Sequence, residues 1–230
     1  MAVRSGQFFW LLAFALLAQA PGWAADRERQ GQALPSAGAA DRDWIANLVP
    51  SQACSGNQVY TSTGDINLDL SCNINETNRD SQSGRGVSAV SEVNSGDSGT
   101  VDVKFTGSVT GDRDRGEGVF AASWSAGGNS DAVKLDLDGD VSIEGRYSRG
   151  MRAASISNSL DGNNPGYSSG DVTVSFDGVL NVGAASNSRS DALNAVGLLV
   201  ESETGLDEAS SGDSGNINID INGAINVGSS

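Results

Sequence analysis

The stretch that most constrains this chain is Gly215-Asn216-Ile217-Asn218-Ile219-Asp220-Ile221-Asn222-Gly223-Ala224-Ile225, an alternating strand followed by a turn residue and a further apolar residue. Four other stretches repeat it. Gly170-Asp171-Val172-Thr173-Val174-Ser175-Phe176-Asp177-Gly178-Val179-Leu180 and Gly99-Thr100-Val101-Asp102-Val103-Lys104-Phe105-Thr106-Gly107-Ser108-Val109 match it at every apolar position. The copy from Asp131 to Val141 lacks the first Gly, and the copy from Gly64 to Ile74 carries Cys72 in place of the second. The starts fall at 64, 99, 131, 170 and 215, a period drifting from 32 to 45 residues. Self-similarity at such a period marks a solenoid or array.

A second module lies between these strands: Gly, an apolar residue, a small apolar residue two places on, then Ser. It occurs as Gly86-Val87-Ser88-Ala89-Val90-Ser91, Gly118-Val119-Phe120-Ala121-Ala122-Ser123, Gly150-Met151-Arg152-Ala153-Ala154-Ser155 and Gly197-Leu198-Leu199-Val200-Glu201-Ser202. Because the modules alternate, each repeat reads as two coils of about 20 residues, each too small to bury its own face without the next. Within the strands, period-2 alternation sends Val101, Val103 and Phe105 to one face and Asp102 and Lys104 to the other. The apolar face is core. Coil upon coil, it yields columns such as Ile66, Val101, Val133, Val172 and Ile217, the interior of an all-β parallel β-helix, or β-solenoid.

Residues 1–24 read as a secretory signal, with Arg4 and the free amine ahead of an apolar run, Phe8 to Ala18, too short to span a bilayer. Gly22-Trp23-Ala24 places cleavage after Ala24, since cleavage after Ala20 would leave Pro21 next. Residues 25–43 form a polar linker without periodicity. Residues 44–63 form an N-terminal cap, in which Trp44, Ile45, Leu48 and Val49 have the spacing of a short helix ended by Pro50. Residues 64–230 are the repeats. Ser159 to Ser169 and Thr204 to Ser214 fall outside the core pattern and read as loops on one side, where binding function tends to sit.

Cys54 and Cys72 are the only cysteines, 18 residues apart and close to one coil. That separation puts them one strand spacing apart, within disulfide reach, and export favours the oxidised pair. A metal site is the rival reading, but two thiols in a chain with no histidine make an incomplete zinc set.

Lacking histidine, the chain has no Ser-His-Asp triad, Cys-His pair or His-ligated metal centre. Its net charge is −15, and losing Arg4 with the signal leaves 13 basic against 29 acidic residues, 13 − 29 = −16. Such a balance opposes nucleic acid and anionic membrane as partners and suits a soluble exported surface. Asp136-Leu137-Asp138-Gly139-Asp140 with Glu144 resembles a calcium loop, but its Gly is misplaced and Tyr147 holds the twelfth position; the repeat alignment explains it as a turn. Gly212-Asp213-Ser214-Gly215 is not followed by the nine-residue period of a calcium roll. The outer carboxylates Asp69, Asp102, Asp136 and Asp220 suggest a polysaccharide-cleaving groove, yet with two coils per repeat successive ones stand about 10 Å apart and read as solvated ladder charges. No catalytic, cofactor or metal residue is nominated.

The nine motif copies over residues 64–230 resemble the passenger domains of Gram-negative autotransporters, the type V secretion family. The resemblance implies a right-handed β-helical passenger, transit through the periplasm and display at the cell surface or release from it, often as an adhesin. It also implies a translocator barrel in the outer membrane, for which these residues leave no room; the expectation is an N-terminal fragment of such a protein or a solenoid exported by another route. The expected partner is a host-surface or bacterial-surface protein or glycan, bound without turnover and without membrane insertion by these residues. A carbohydrate-active β-helix enzyme and a passive stalk are the alternatives.

Overall fold

The structure is a computed structural model that describes residues 46–47, 54, 57–76, 85–112, 115–145, 147–158, 166–183, 195–205 and 212–228. The signal segment with its cleavage position Ala24, and the polar linker, lie outside the described residues.

Every described element is a β-strand. In chain order they are β1 (Ala46–Asn47), β2 (Gln58–Ser62), β3 (Ile66–Glu76), β4 (Arg85–Val93), β5 (Val101–Gly111), β6 (Glu117–Ser125), β7 (Val133–Asp138), β8 (Val141–Ile143), β9 (Arg149–Ser157), β10 (Val172–Val182), β11 (Val196–Thr204) and β12 (Ile217–Val227). They form two sheets. Sheet A runs β1-β3-β5-β7-β10-β12, with β8 continuing the β7 rung between β5 and β10, and sheet B runs β2-β4-β6-β9-β11. All strand pairings are parallel.

The expected core columns are present. Val133 pairs with Val101 on one side and Val172 on the other, and the series continues to Ile66 and Ile217. Inward residues of the middle rungs, among them Phe105, Leu135, Leu137, Val174, Phe176 and Leu180, are at most 1% exposed.

Two expectations need correcting. The first is two coils per repeat. The alternating strands of successive repeats bond directly to each other in sheet A, and the Gly-apolar-x-Ala-x-Ser strands do so in sheet B, so a repeat adds one strand to each sheet. The modules face one another rather than stacking, and their inward faces close a single core. Gly118 and Gly150 open β6 and β9 at the point of closest approach: a Cβ there would run into Val141 and Leu180 of sheet A. The second is the cap helix. Ala46–Asn47 within it is a strand, paired to Ile66 and Asn67 at the edge of β3, while Trp44, Ile45, Leu48, Val49 and Pro50 lie outside the described residues.

The turn glycines keep the strand phase while bending it. Gly107, Gly139 and Gly178 have φ of 138°, 142° and 150°, and a Cβ on each would strike the backbone carbonyl of its predecessor, Cys72, Gly107 and Gly139 respectively. Cys72 heads this column.

Candidate functional site

The polar residues between the inward ones form the outer face of sheet A. Register places Asn67, Asp102, Lys134, Thr173 and Asn218 in one row and Asp69, Lys104, Asp136, Ser175 and Asp220 in the next. Neighbours along a row are one strand spacing apart, about 4.8 Å. Acid and base alternate in the middle rungs, and Lys134 Nζ lies 3.9 Å from Asp102 Oδ2 with both groups about half exposed. Both lysines of the chain sit here, Lys104 between Asp69 and Asp136 and Lys134 between Asp102 and Thr173. Toward β12 hydroxyls and amides join the acids, with Thr173, Ser175, Asn181, Asn218, Asn222 and Asn226 beside Asp177 and Asp220.

Asp69, Asp136 and Asp220 are therefore two strands apart in one row, separated by Lys104 and Ser175, while Asp102 stands in the other row beside Lys134. The reason for their separation is an intervening repeat of the same kind, not an intervening coil of the other module. Asp138 and Asp177 are direct register neighbours, both exposed; Asp177 Oδ2 accepts an amide N–H from Asn222 at 3.0 Å. Asp140 is engaged as a backbone acceptor, its Oδ1 taking the Val179 N–H at 2.9 Å. Among the described residues no group of three or more acidic or cysteine side chains is arranged to hold a metal.

Cys54 and Cys72 form a disulfide with Cα atoms 5.7 Å apart, of the kind that persists in oxidising compartments. Among the described residues no helix is long and apolar enough to cross a membrane.

Sheet B carries chemistry that the sequence reading did not single out. Glu117, buried, receives hydrogen bonds from Arg85 Nε at 2.8 Å and Arg149 Nη1 at 2.9 Å, one on each neighbouring strand. Arg85 and Arg152 lie 4.8 and 5.3 Å from the Phe120 ring centre, and Arg152 donates twice to Glu201 Oε2, at 2.7 and 3.0 Å. Phe120, Ala122, Trp124, Ala154 and Ile156 form a second buried apolar cluster on this outer face. The signal in the sequence was apolar residues at x positions of the module, Phe120 and Ala122 in β6 and Ala154 in β9, against which Val90 of β4 also packs.

The module's terminal Ser also has a role. Ser123 Oγ donates to Gly99 O at 2.8 Å, accepts the Asp131 N–H at 2.9 Å and meets Ser98 Oγ at 2.8 Å. Ser155 repeats this with Asp131 O, Gly170 N and Ser130 Oγ. These buried hydroxyls stitch each passage from sheet B to sheet A, satisfying main-chain groups that no ladder reaches.

No family model, curated protein or solved structure matches this chain. The two-sheet parallel stack and its faces are what bear on function.

Proposed function

We propose that this chain is an exported β-solenoid of the autotransporter passenger kind, displayed at the cell surface or released from it. It acts by binding a surface protein or glycan, not by turning a substrate over. The observation that carries this reading is the outer face of sheet A: a register-locked field of carboxylates, hydroxyls and amides, with two lysines among the acids, held about 4.8 Å apart by the core beneath. Such a face offers many hydrogen-bonding groups at fixed spacing, which suits a polar ligand lying across several rungs. The disulfide and the signal-like N-terminus support export.

The test is saturable binding of the labelled protein to cells and glycan arrays, with Lys104→Ala and Asn218→Ala weakening it, alongside product analysis of the same ligands. Binding insensitive to both substitutions would remove the face from the proposal. Cleavage of a bound glycan would favour a second reading, a carbohydrate-active solenoid. That reading rests on Asp138 and Asp177, whose one-strand spacing is near the roughly 5 Å separation of a retaining glycosidase pair. Loss of cleavage in Asp177→Asn would then assign it.

A further inference from the structure

The basic residues are sorted by type. Both lysines lie on sheet A, whereas the described arginines, Arg85, Arg115, Arg149 and Arg152, all lie on sheet B or in a turn that leads into it. Arg115 and Tyr147 come two residues before Glu117 and Arg149, which are register partners on β6 and β9. The two side chains therefore hold the same place in successive repeats, and the Arg115 guanidinium lies 5.9 Å from the centre of the Tyr147 ring. Both are exposed, Tyr147 at 46%.

Their backbone sets them apart. Arg115 and Tyr147 have φ of 62° and 59°, and among the described residues they are the only non-glycine residues in the left-handed region. Bulky side chains disfavour that conformation, which glycine or asparagine holds at less cost. Glycine does hold it at Gly96, Gly166 and Gly183, and the sequence has Ser83 and Asn194 at the corresponding point of the flanking repeats. Neither Arg115 nor Tyr147 makes a side-chain hydrogen bond or ion pair among the described residues, so no contact that the core needs offsets the strain. Around them the ground is fixed. Buried Glu117 holds the guanidiniums of Arg85 and Arg149 through one nitrogen each, and both remain about a third exposed. Ser148 Oγ donates to Gly145 O at 2.8 Å, pinning the turn that carries Tyr147.

We infer that this turn edge, Arg115 and Tyr147 with Arg149 beside them, is a binding site for a sugar that carries a carboxylate. It is separate from the outer face of sheet A and does not depend on the reading of that face. The Tyr147 ring takes an apolar C–H face of the sugar, and Arg115 with Arg149 takes the carboxylate. Arginine suits this role because its planar fork pairs with a carboxylate through two parallel N–H bonds and its face still stacks on an aromatic ring. An extended polyanion such as nucleic acid does not suit a chain of net charge −15, whereas a single carboxylate on an otherwise neutral sugar does. An acidic peptide would use the arginines and leave the ring idle. The strain at Arg115 and Tyr147 is then the cost of holding two large side chains at a turn where glycine would fold more easily.

Arg115→Gly and Tyr147→Gly test this, because each removes a side chain and relaxes the backbone together. The probes are the methyl glycosides of glucuronic acid and N-acetylneuraminic acid, titrated into the protein while the Tyr147 ring and Arg149 Nε–H signals are followed by nuclear magnetic resonance. At least one sugar acid should shift both signals saturably, and methyl glucoside, which lacks the carboxylate, should not. Read at Arg149, each glycine variant should bind about tenfold more weakly or worse, while its urea midpoint stays the same or rises. Lys104→Ala, on sheet A, should bind as the unaltered protein does. No saturable shift with either sugar acid, an equal response to methyl glucoside, or undiminished binding by both glycine variants would each overturn the proposal. A lower urea midpoint in the glycine variants would make the two side chains structural instead. Tetraglutamate shifting both signals as strongly as the sugar acids would assign the edge to acidic peptides, and loss of binding in Lys104→Ala would move the sugar to sheet A; either result overturns the assignment.

Discussion

Gly178→Ala tests the repeat geometry at its tightest point. Gly178 has a φ of 150°, a region that L-residues other than glycine scarcely enter and that costs of order 1–3 kcal/mol. Its new Cβ would also overlap the Gly139 carbonyl, which is backbone and has no rotamer to change. The available relief is separation of β10 from β7 at this rung, which breaks the bond from Gly139 N to Asp177 O, now 2.8 Å, worth about 1 kcal/mol net. Together these give a loss of about 3 kcal/mol. With a urea dependence of about 2 kcal/mol/M, the midpoint should fall by roughly 1.5 M. Gly64→Ala is the internal control, since a Cβ there meets nothing within 4 Å. It should leave the midpoint unchanged or raise stability by up to about 1 kcal/mol. Far-ultraviolet circular dichroism during urea unfolding reads both. Equal midpoints for the two variants would refute the claim that close carbonyl approach, rather than turn propensity, keeps this column glycine.

Ser123→Ala should cost about 1–3 kcal/mol in the same assay, because it strands the Asp131 N–H and the Gly99 carbonyl in a buried corner, whereas the half-buried Ser108→Ala should cost less. Cys54→Ala opens a loop of 18 residues and should lower stability by about 3 kcal/mol under non-reducing conditions, with hydrogen exchange rising first in β1 to β3. An unchanged exchange pattern there would mean that the staple does not tie down that end. Burial pushes the Tyr60 hydroxyl above its usual value of 10.0. The fold thus favours the neutral phenol, so Tyr60 adds stability that is present below pH 10 and is lost as pH rises through the folded value. Tyr60→Phe should flatten stability in that alkaline window, and an unchanged slope would contradict the assignment.

The strands and the columns were legible in the sequence because a two-residue period fixes which side chain faces the core, and a recurring glycine fixes the register between copies. Val101 over Val133 over Val172 needed no further information. The arrangement of the two modules was not legible. Alternating motifs A and B along the chain are equally compatible with one sheet stacked A on B and with two sheets stacked A on A and B on B, and the spacing of about 20 residues between modules suits either. What separates them is side-chain volume across the core. Small Ala89, Ala121 and Ala153 sit in a column of sheet B, and Leu68, Val103, Leu135 and Val174 sit in a column of sheet A, in the same buried cluster. Reading large against small as facing partners, rather than as stacked neighbours, would have given the two-sheet form. The Arg85–Glu117–Arg149 row was invisible for a related reason: its members are 32 residues apart, and only the sheet B register aligns them.

That register also decides what the polar face can do. If modules alternated within one sheet, the lysines and carboxylates of the strand motif would be diluted by the apolar and small residues of the other, and no continuous polar field would exist. Segregation into two sheets concentrates the hydrogen-bonding groups on sheet A and places Phe120, Trp124 and Ile156 together on sheet B. Spacing along each row is set by the main-chain ladder, not by the side chains that occupy it. Substitutions on the face can therefore change its hydrogen-bonding groups without disturbing the core, provided the inward columns and the turn glycines stay. This is the property the proposed binding role needs: the residues that build the core and those that would meet a ligand are different ones.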